Sequence, residues 1–328
     1  MCTALTLNAK DFYFGRNFDW EFSYGEAITI TPRNYPFSFT DGTNISRHHA
    51  IIGTAFVKND YPLYFDATNE KGLSIAALNF PGNACYKSSV QNAVNIASYE
   101  LINRILCQFS SAAEALPFLK SINITDASFG DDMPPSPLHW IVADKLQCYV
   151  IEQMHDGLKI HQNPFGVLTN NPPFEFHVQN MANFMHITNS EPKNNIVPNV
   201  NIKPYSRGMG GVGLPGDWSS ASRFVRAAFE RAHFVHSQNE GDIVSDFFHI
   251  LSSVMHIRGC VKLPEDEYEI TQYSSCCNTD KCIYYFSTYS NSRINAVDMY
   301  SENLDTNRLI TYPMSKMCDI NYINKEQD

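Results

Sequence analysis

Basic charge is scarce in this 328-residue chain. Lys and Arg total 24 against 34 Asp and Glu, a formal net charge of −10. That balance excludes a general nucleic-acid binder, which needs a positive stripe to displace counterions from phosphates. It leaves room for an anionic small ligand, because the local charge of a site can oppose the net charge. Long apolar runs are missing too. No stretch approaches the roughly 18 residues of a membrane span. Residues 1–10 have neither the basic start nor the apolar core of a secretion signal. Internal repeats, low-complexity tracts and clear linkers are also absent. With 44% hydrophobic and 18% charged residues, the chain is neither disordered nor fibrous, and its length supports a buried core.

The nine cysteines do not form a disulfide framework, since their number is odd and their spacing irregular. The expectation is a protein of the reducing cytoplasm with mostly buried free thiols. Cys276, Cys277 and Cys282 lack the paired C-x₂₋₄-C spacing of a metal site. A metalloprotein built on them stays open as an alternative that stoichiometric zinc would favour. Gly208-Met-Gly210-Gly-Val-Gly213 matches G-x-G-x-x-G literally, but it follows polar Lys203–Arg207 and precedes Pro215, so dinucleotide binding is rejected. His48 and His49 sit in a polar loop and read as exposed. His139 reads as a satisfied core histidine.

Short β-branched and aromatic runs predict strands at Thr3–Leu7, Phe12–Phe14, Ala27–Thr31, Ala50–Phe56, Leu63–Asp66 and Leu73–Asn79. Ile96, Leu101, Ile102, Ile105 and Leu106 recur at helical spacing, and Ser110–Leu119 fits a second helix. Asp126–Pro137 is a loop broken by three prolines. Strand character returns at Leu138–Ala143, Cys148–Glu152, Leu158–His161 and Gly166–Thr169. Glu191–Pro215 reads as a surface excursion. Ser219 or Ser220 caps a helix holding Phe224 and Val225, Asp242–Met255 is another helix, and Cys282–Tyr289 and Ile294–Met299 are late strands. The pattern predicts a single α+β domain over residues 1–328, with helices covering sheet.

One cysteine stands directly after the initiator methionine. Removal of Met1 would give Cys2 a thiol and a free α-amine on one residue. An unperturbed α-amine has a pKa of about 7.7–8.0, so it is partly neutral near pH 7 and can take the thiol proton. A second-position cysteine with no role is the plain alternative. Gly15-Arg16-Asn17-Phe18-Asp19 lies where a hairpin partner of the first strand would lie. A guanidinium there would favour thiolate, and a carboxylate would orient the amine. A surface ion pair at a hairpin end is the competing reading.

At this point the residues match a family. Met1-Cys2-Thr3, Phe14-Gly15-Arg16-Asn17-Phe18-Asp19, Asn69-Glu70-Lys71-Gly72-Leu73, Leu78-Asn79-Phe80-Pro81-Gly82, Leu168-Thr169-Asn170-Asn171-Pro172 and Gly213-Leu214-Pro215-Gly216-Asp217 with Ser222-Arg223-Phe224 recur in order. The chain resembles the choloylglycine hydrolases, nearest to the bile salt hydrolases of Gram-positive gut bacteria. These share a family with the penicillin V acylases among the N-terminal-nucleophile hydrolases. The resemblance implies a four-layer αββα sandwich, two antiparallel sheets between helix layers. It implies Cys2 as nucleophile with its amine as base, and Arg16 and Asp19 flanking thiol and amine. It implies Asn170 and the backbone N–H of Asn79 as the oxyanion hole, and Arg223 as support. Penicillin-V-preferring relatives typically carry tyrosine at the position of Asn79, which tilts this chain towards bile salts.

The implied substrate is a glycine- or taurine-conjugated bile salt, cleaved at its amide through a thioester, with no metal or organic cofactor. By alignment with the family, Phe18, Tyr24, Phe65, Phe129, Met133 and Leu138 fall where loops wall the apolar pocket that a steroid needs. Ordinary core or loop packing is the alternative for each. The family is often tetrameric, so a homo-oligomer is expected, and no nucleic-acid or membrane partner is. Penicillin V acylase is the nearest rival activity, and a non-catalytic steroid-binding protein is the rival of a different class.

Overall fold

The computed structural model describes residues 1–235 and 237–324. In chain order its elements begin with β1 (Cys2–Asn8), β2 (Phe12–Trp20), β3 (Ala27–Thr31), β4 (Phe37–Ser38), β5 (Asn44–Ile45), β6 (Ile51–Lys58), β7 (Tyr61–Asn69), β8 (Ser74–Asn79) and β9 (Val94–Ala97). Helices α1 (Leu101–Gln108) and α2 (Ala112–Leu119) come next. They precede β10 (Ile122–Thr125), β11 (Leu138–Ala143), β12 (Cys148–Met154), β13 (Gly157–Gln162) and β14 (Val167–Leu168). The rest of the chain holds α3 (Phe174–Asn180), α4 (Ser220–His233), α5 (Glu240–Ser253), β15 (Ile270–Asn278), β16 (Ile283–Thr288), β17 (Asn295–Asp298) and β18 (Ile310–Pro313).

Two antiparallel sheets carry the fold. One has six strands in the order β14-β1-β2-β15-β16-β17, the other eight in the order β13-β12-β11-β8-β7-β6-β3-β18. They meet where β1 and β2 pack on β8. Helices α4 and α5 cover the outer face of the six-stranded sheet, and α1 covers β7 and β8 of the other. The layers therefore run helix, sheet, sheet, helix, as the αββα expectation requires.

The strand sequences show why. In β8, Ala76 and Leu78 face the core between the sheets, while Ile75 and Ala77 face the core under α1 and α2. In β11, Ile141 and Ala143 alternate with Trp140 and Val142 in the same way. Both faces are buried, so these strands read as continuous apolar runs instead of alternating ones.

Several sequence expectations need correction. Ile96 lies on β9, not on the helix, which begins at Leu101. The helical spacing through Ile96 was accidental, because β9 runs straight into the helix. Of the two serines offered as the cap of α4, Ser219 is the cap, accepting from the Ser222 amide. His48 is buried, its Nδ1 2.7 Å from the His49 carbonyl and its Nε2 2.8 Å from the Tyr35 carbonyl. His139 is buried as expected, between Glu152 (3.1 Å) and the Thr169 carbonyl (2.9 Å). Strand β15 had no sequence signal at all. Its nine residues, with Tyr273-Ser274-Ser275-Cys276-Cys277 at their centre, pair along nearly all of β2. Residues 191–215 hold no strand or α-helix, as expected of an excursion.

Gly15 marks the closest approach in that pairing. A Cβ there would stand 2.0 Å from the Ser275 carbonyl oxygen and 2.8 Å from the Cys276 Cα. Backbone cannot yield as a side chain does, so Gly15→Ala is expected to destabilise the fold by about 3 kcal/mol. A urea midpoint within error of the wild type would refute this.

Candidate active site

The site grows from the first residue of β1. Cys2 pairs with Phe18, and Ala4 with Arg16, across the β1–β2 ladder. The hairpin expectation thus holds, and the Arg16–Asp19 stretch lies beside the N-terminus. Met1 extends the ladder by one step. Its amine donates to the Asp19 carbonyl (2.8 Å), and the Asp19 amide donates to the Met1 carbonyl (3.0 Å). With Met1 in place, Cys2 is only 2% exposed.

Asn170 follows β14 and is held on every polar atom. Its amide donates to Ser220 Oγ at 2.8 Å, and its carbonyl meets His177 Nε2 at 2.9 Å. Its side-chain Oδ1 accepts from the Cys2 amide and from Arg223 Nη2, both at 2.8 Å. Its Nδ2 donates to the Asn79 carbonyl at 2.7 Å. Asn79 ends β8, opposite Leu138 of β11. The fold thus joins Cys2, Asn79 and Asn170, with Asn79 presenting its carbonyl to Asn170.

Arg223 projects from the second turn of α4 and is fully buried. Its Nη1 bonds the Cys2 carbonyl (2.5 Å) and Thr3 Oγ1 (2.6 Å), and its Nε bonds the Trp218 carbonyl (3.0 Å). Arg16 is equally buried. Its Nη1 bonds the carbonyls of Phe65 (2.9 Å) and Ala77 (2.5 Å), its Nη2 has no partner, and its charge lies 5.2 Å over the Phe18 ring.

The expected pocket residues divide. Phe18, Tyr24 and Phe65 form one aromatic cluster, with ring centroids 4.7 to 6.4 Å apart. Phe129 and Met133 pair through backbone (3.0 Å), and Phe129 packs on Tyr61 and Tyr99. Leu138 lies beside Asn79.

The chain also matches known proteins. Residues 2–312 match the family model described as linear amide C–N hydrolases, choloylglycine hydrolase family. The chain belongs to the choloylglycine hydrolase family. It is 51% identical to the bile salt hydrolase/transferase of Lactiplantibacillus plantarum, covering 96% of this chain and 97% of that one. It is 37% identical to the bile salt hydrolase/transferase of Clostridium perfringens, over 99% and 100%. The crystal structure of the C2A variant of conjugated bile acid hydrolase from Clostridium perfringens superposes with a TM-score of 0.91 at 36% identity, covering 99% and 100%. Penicillin V acylase from Agrobacterium tumefaciens shares the fold, with a TM-score of 0.76 at 19% identity over 94% and 90%.

Buried charges gather around Cys2. Burial alone pushes Arg16 down, but the nearby Cys2, Tyr273, Asp66 and Asp19 outweigh it and hold Arg16 above the usual guanidinium value. Burial pushes Arg223 down, opposed by Asp19, Cys2 and Glu269. Burial raises Asp19, opposed first by Arg223 and then by the N-terminal amine and Thr271.

Four residues of this network had no sequence signal. Asp66 accepts from the hydroxyls of Tyr273 (2.8 Å), Ser275 (3.1 Å) and Tyr284, and faces Arg16 electrostatically. Thr271 donates to Asp19 Oδ1 at 2.5 Å. His256 and Glu269 close the far side of the N-terminus. All depend on β15, which the sequence did not reveal. Among the described residues, Asp19, His256 and Glu269 are the one His/Cys/acid group whose ligand atoms converge; Cys276, Cys277 and Cys282 form no such group.

His177 pins the Asn170 backbone and stacks on Phe224 at 4.8 Å. Burial pushes it down to about 4. Between pH 6.5 and 4 the unfolded chain binds this proton and the folded chain does not, so stability falls as pH falls through that window. The full effect is roughly 3 kcal/mol. In His177→Gln the drop in urea midpoint from pH 6.5 to 4.5 is expected to shrink. An unchanged drop would exclude His177 as its source.

Proposed function

We propose that the chain is a bile salt hydrolase, acting through an N-terminal cysteine nucleophile after loss of Met1. The observation that carries this reading is the convergence on Asn170. One amide side chain meets the Cys2 nitrogen, the guanidinium of Arg223 and the end of β8. The names of the 51% and 37% identical relatives support the substrate.

The Cys2 thiol passes its proton to its own α-amine, and the thiolate attacks the amide carbonyl. The carbonyl oxygen takes negative charge and is held by Asn170 Nδ2 and the Asn79 backbone N–H. One such preorganised donor is worth about 3 kcal/mol. Collapse breaks the C–N bond, the ammonium proton goes to the leaving nitrogen, and glycine or taurine departs. Water, deprotonated by the same amine, then attacks the thioester and releases the bile acid. Arg16 and Arg223 balance the thiolate, and Asp19 orients the amine. No metal or organic cofactor enters these steps.

Phe18, Tyr24 and Phe65 supply an apolar wall for the steroid in this reading, with Phe129, Met133 and Leu138 on the loop side. Asn79, where penicillin-V-preferring relatives typically carry tyrosine, favours bile salts over penicillin V. The catalytic unit is proposed to be one domain, cytoplasmic and homotetrameric. All nine cysteines are free thiols, in keeping with a reducing compartment. No helix among the described residues is long and apolar enough to cross a membrane. Exposed Ile196, Val200, Ile202, Tyr205 and Val212 on the 191–215 excursion favour self-association. Light scattering is expected to give four times the chain mass, and a monomer would exclude the tetramer.

Side-by-side assays are expected to show clear preference for glycocholate over penicillin V, with the reverse order rejecting the bile-salt reading. Intact mass is expected to show Met1 removed. Cys2→Ala is expected to lose roughly 10⁴-fold or more of the activity. Retained Met1, or a Cys2→Ala chain that still hydrolyses glycocholate, would overturn the mechanism. A protein that binds the steroid but never cleaves the conjugate would turn out to be the non-catalytic rival.

A further inference from the structure

Glu269 has no part in the steps above, yet it is buried against the N-terminus. It lies just before β15 and is 5% exposed. Its carboxylate meets the Met1 α-ammonium. His256 Nδ1 stands 3.6 Å from the same oxygen, and His256 Nε2 stands 3.8 Å from Asp19 Oδ2. Both ring nitrogens and Asp19 Oδ2 are buried without a hydrogen-bond partner. Thr271 ties this group together: its hydroxyl donates to Asp19 and accepts from the His256 amide at 2.9 Å.

Buried polar groups left without partners are costly. Their grouping around one amine has a geometric reason. Loss of Met1 carries the amine one residue inward, about 3.8 Å along the chain. It then stands at the Cys2 nitrogen, 2.8 Å from Asn170 Oδ1, and the slot it leaves is lined by Glu269, His256 and the Asp19 carbonyl. An anionic substrate tail does not suit a slot with a buried carboxylate. An ammonium does.

We infer that Glu269 is a positioning residue for the N-terminal amine: it docks the Met1 ammonium before processing and shares the Cys2 ammonium with Asp19 afterwards, with the His256 ring lying between the two carboxylates. This rests on the reading of the Cys2 amine as the catalytic base. The charges that face the amine are Asp19 and Arg16 on β2, Arg223 on α4 with Arg226 behind it, Glu269 before β15, and the Cys2 thiol itself. His256 adds none, because burial first and Arg223 next push it down to about 3.

The sign of the effect follows from Coulomb attraction. A carboxylate favours the ammonium, whereas catalysis needs the neutral amine. Removing the Glu269 charge therefore lets the amine lose its proton at lower pH. In the processed enzyme, Glu269→Gln is expected to move the acid limb of kcat/KM on glycocholate down by about one pH unit. A purely structural role would lower activity without moving that limb. A readout free of substrate uses Cys2→Ala chains with Met1 removed. Carbamylation of the N-terminal amine by cyanate, followed by mass of the N-terminal peptide, is expected to show the same downward shift when Glu269→Gln is added. If wild type cleaves no bile salt, the proposed function fails while the carbamylation profile still decides this inference. If Glu269→Gln does not fold, Glu269→Asp replaces it, with a smaller shift in the same direction. Coincident pH midpoints in the glutamate and substituted chains would overturn the inference.

Discussion

The buried guanidinium of Arg223 is the contact on which the site depends. It reaches from α4 to the Cys2 carbonyl, to Thr3 and to the Asn170 side chain. Those three acceptors belong to the start of β1 and to the turn after β14, two segments about 170 residues apart in sequence. A guanidinium offers five donors in a rigid fork, so one side chain can set the spacing of both segments at once. No lysine could do the same from one point charge. The helix that delivers it is capped by Ser219, which leaves the neighbouring Ser220 free to accept from the Asn170 amide. Cap, guanidinium and asparagine therefore form one unit, and the position of Cys2 follows from it.

Such a unit brings an electrostatic difficulty. Arg16 and Arg223 are both buried, and no carboxylate forms a direct ion pair with either among the described residues. A buried charge without compensation costs several kcal/mol. Compensation comes from a distance. Burial pushes the Asp66 carboxyl up, and Arg16 together with three hydroxyl donors opposes that push and favours its charged form. Asp19 faces Arg223 in the same way. The arginines are therefore not neutralised by contact. Their field remains available at Cys2, to which both are electrostatically coupled, and where the proposed mechanism needs negative charge to appear.

The sequence revealed the parts of this arrangement that lie close together along the chain. The β1–β2 hairpin was legible because Phe14-Gly15-Arg16 follows an alternating strand after a short turn. The turn after β14 was legible from Asn170-Asn171-Pro172, and the α4 start from its serines. The helix layers and the strand-rich first half pointed to helices on sheet. What stayed hidden depends on β15. Its serines break up the apolar alternation by which strands are recognised, and it is its backbone that packs against β2 at Gly15. With β15 unseen, Thr271, Tyr273 and Ser275 had no address, and neither Asp66 nor Glu269 had visible partners. His48 misled for a related reason: a polar loop can still bury a histidine, here between the His49 and Tyr35 carbonyls.

In the proposed mechanism the place of the nucleophile is itself a physical solution. A free α-amine is ordinarily the most mobile group of a chain, whereas a catalytic base must be held within hydrogen-bond reach of its proton. Here the amine-bearing residue is an interior strand residue in all but connectivity. Cys2 has β2 on one side, at Phe18, and its strand is flanked by β14 on the other. Met1 adds one further step to that ladder through two backbone bonds with Asp19. Cutting after Met1 gives up those two bonds and leaves the Cys2 pairing intact. The new amine is then created at a backbone position already fixed by its neighbours, and little ordering entropy remains to be lost when the substrate arrives. A terminus that is rigid before it is a terminus explains why the fold places residue 2 in the middle of a sheet instead of at its edge.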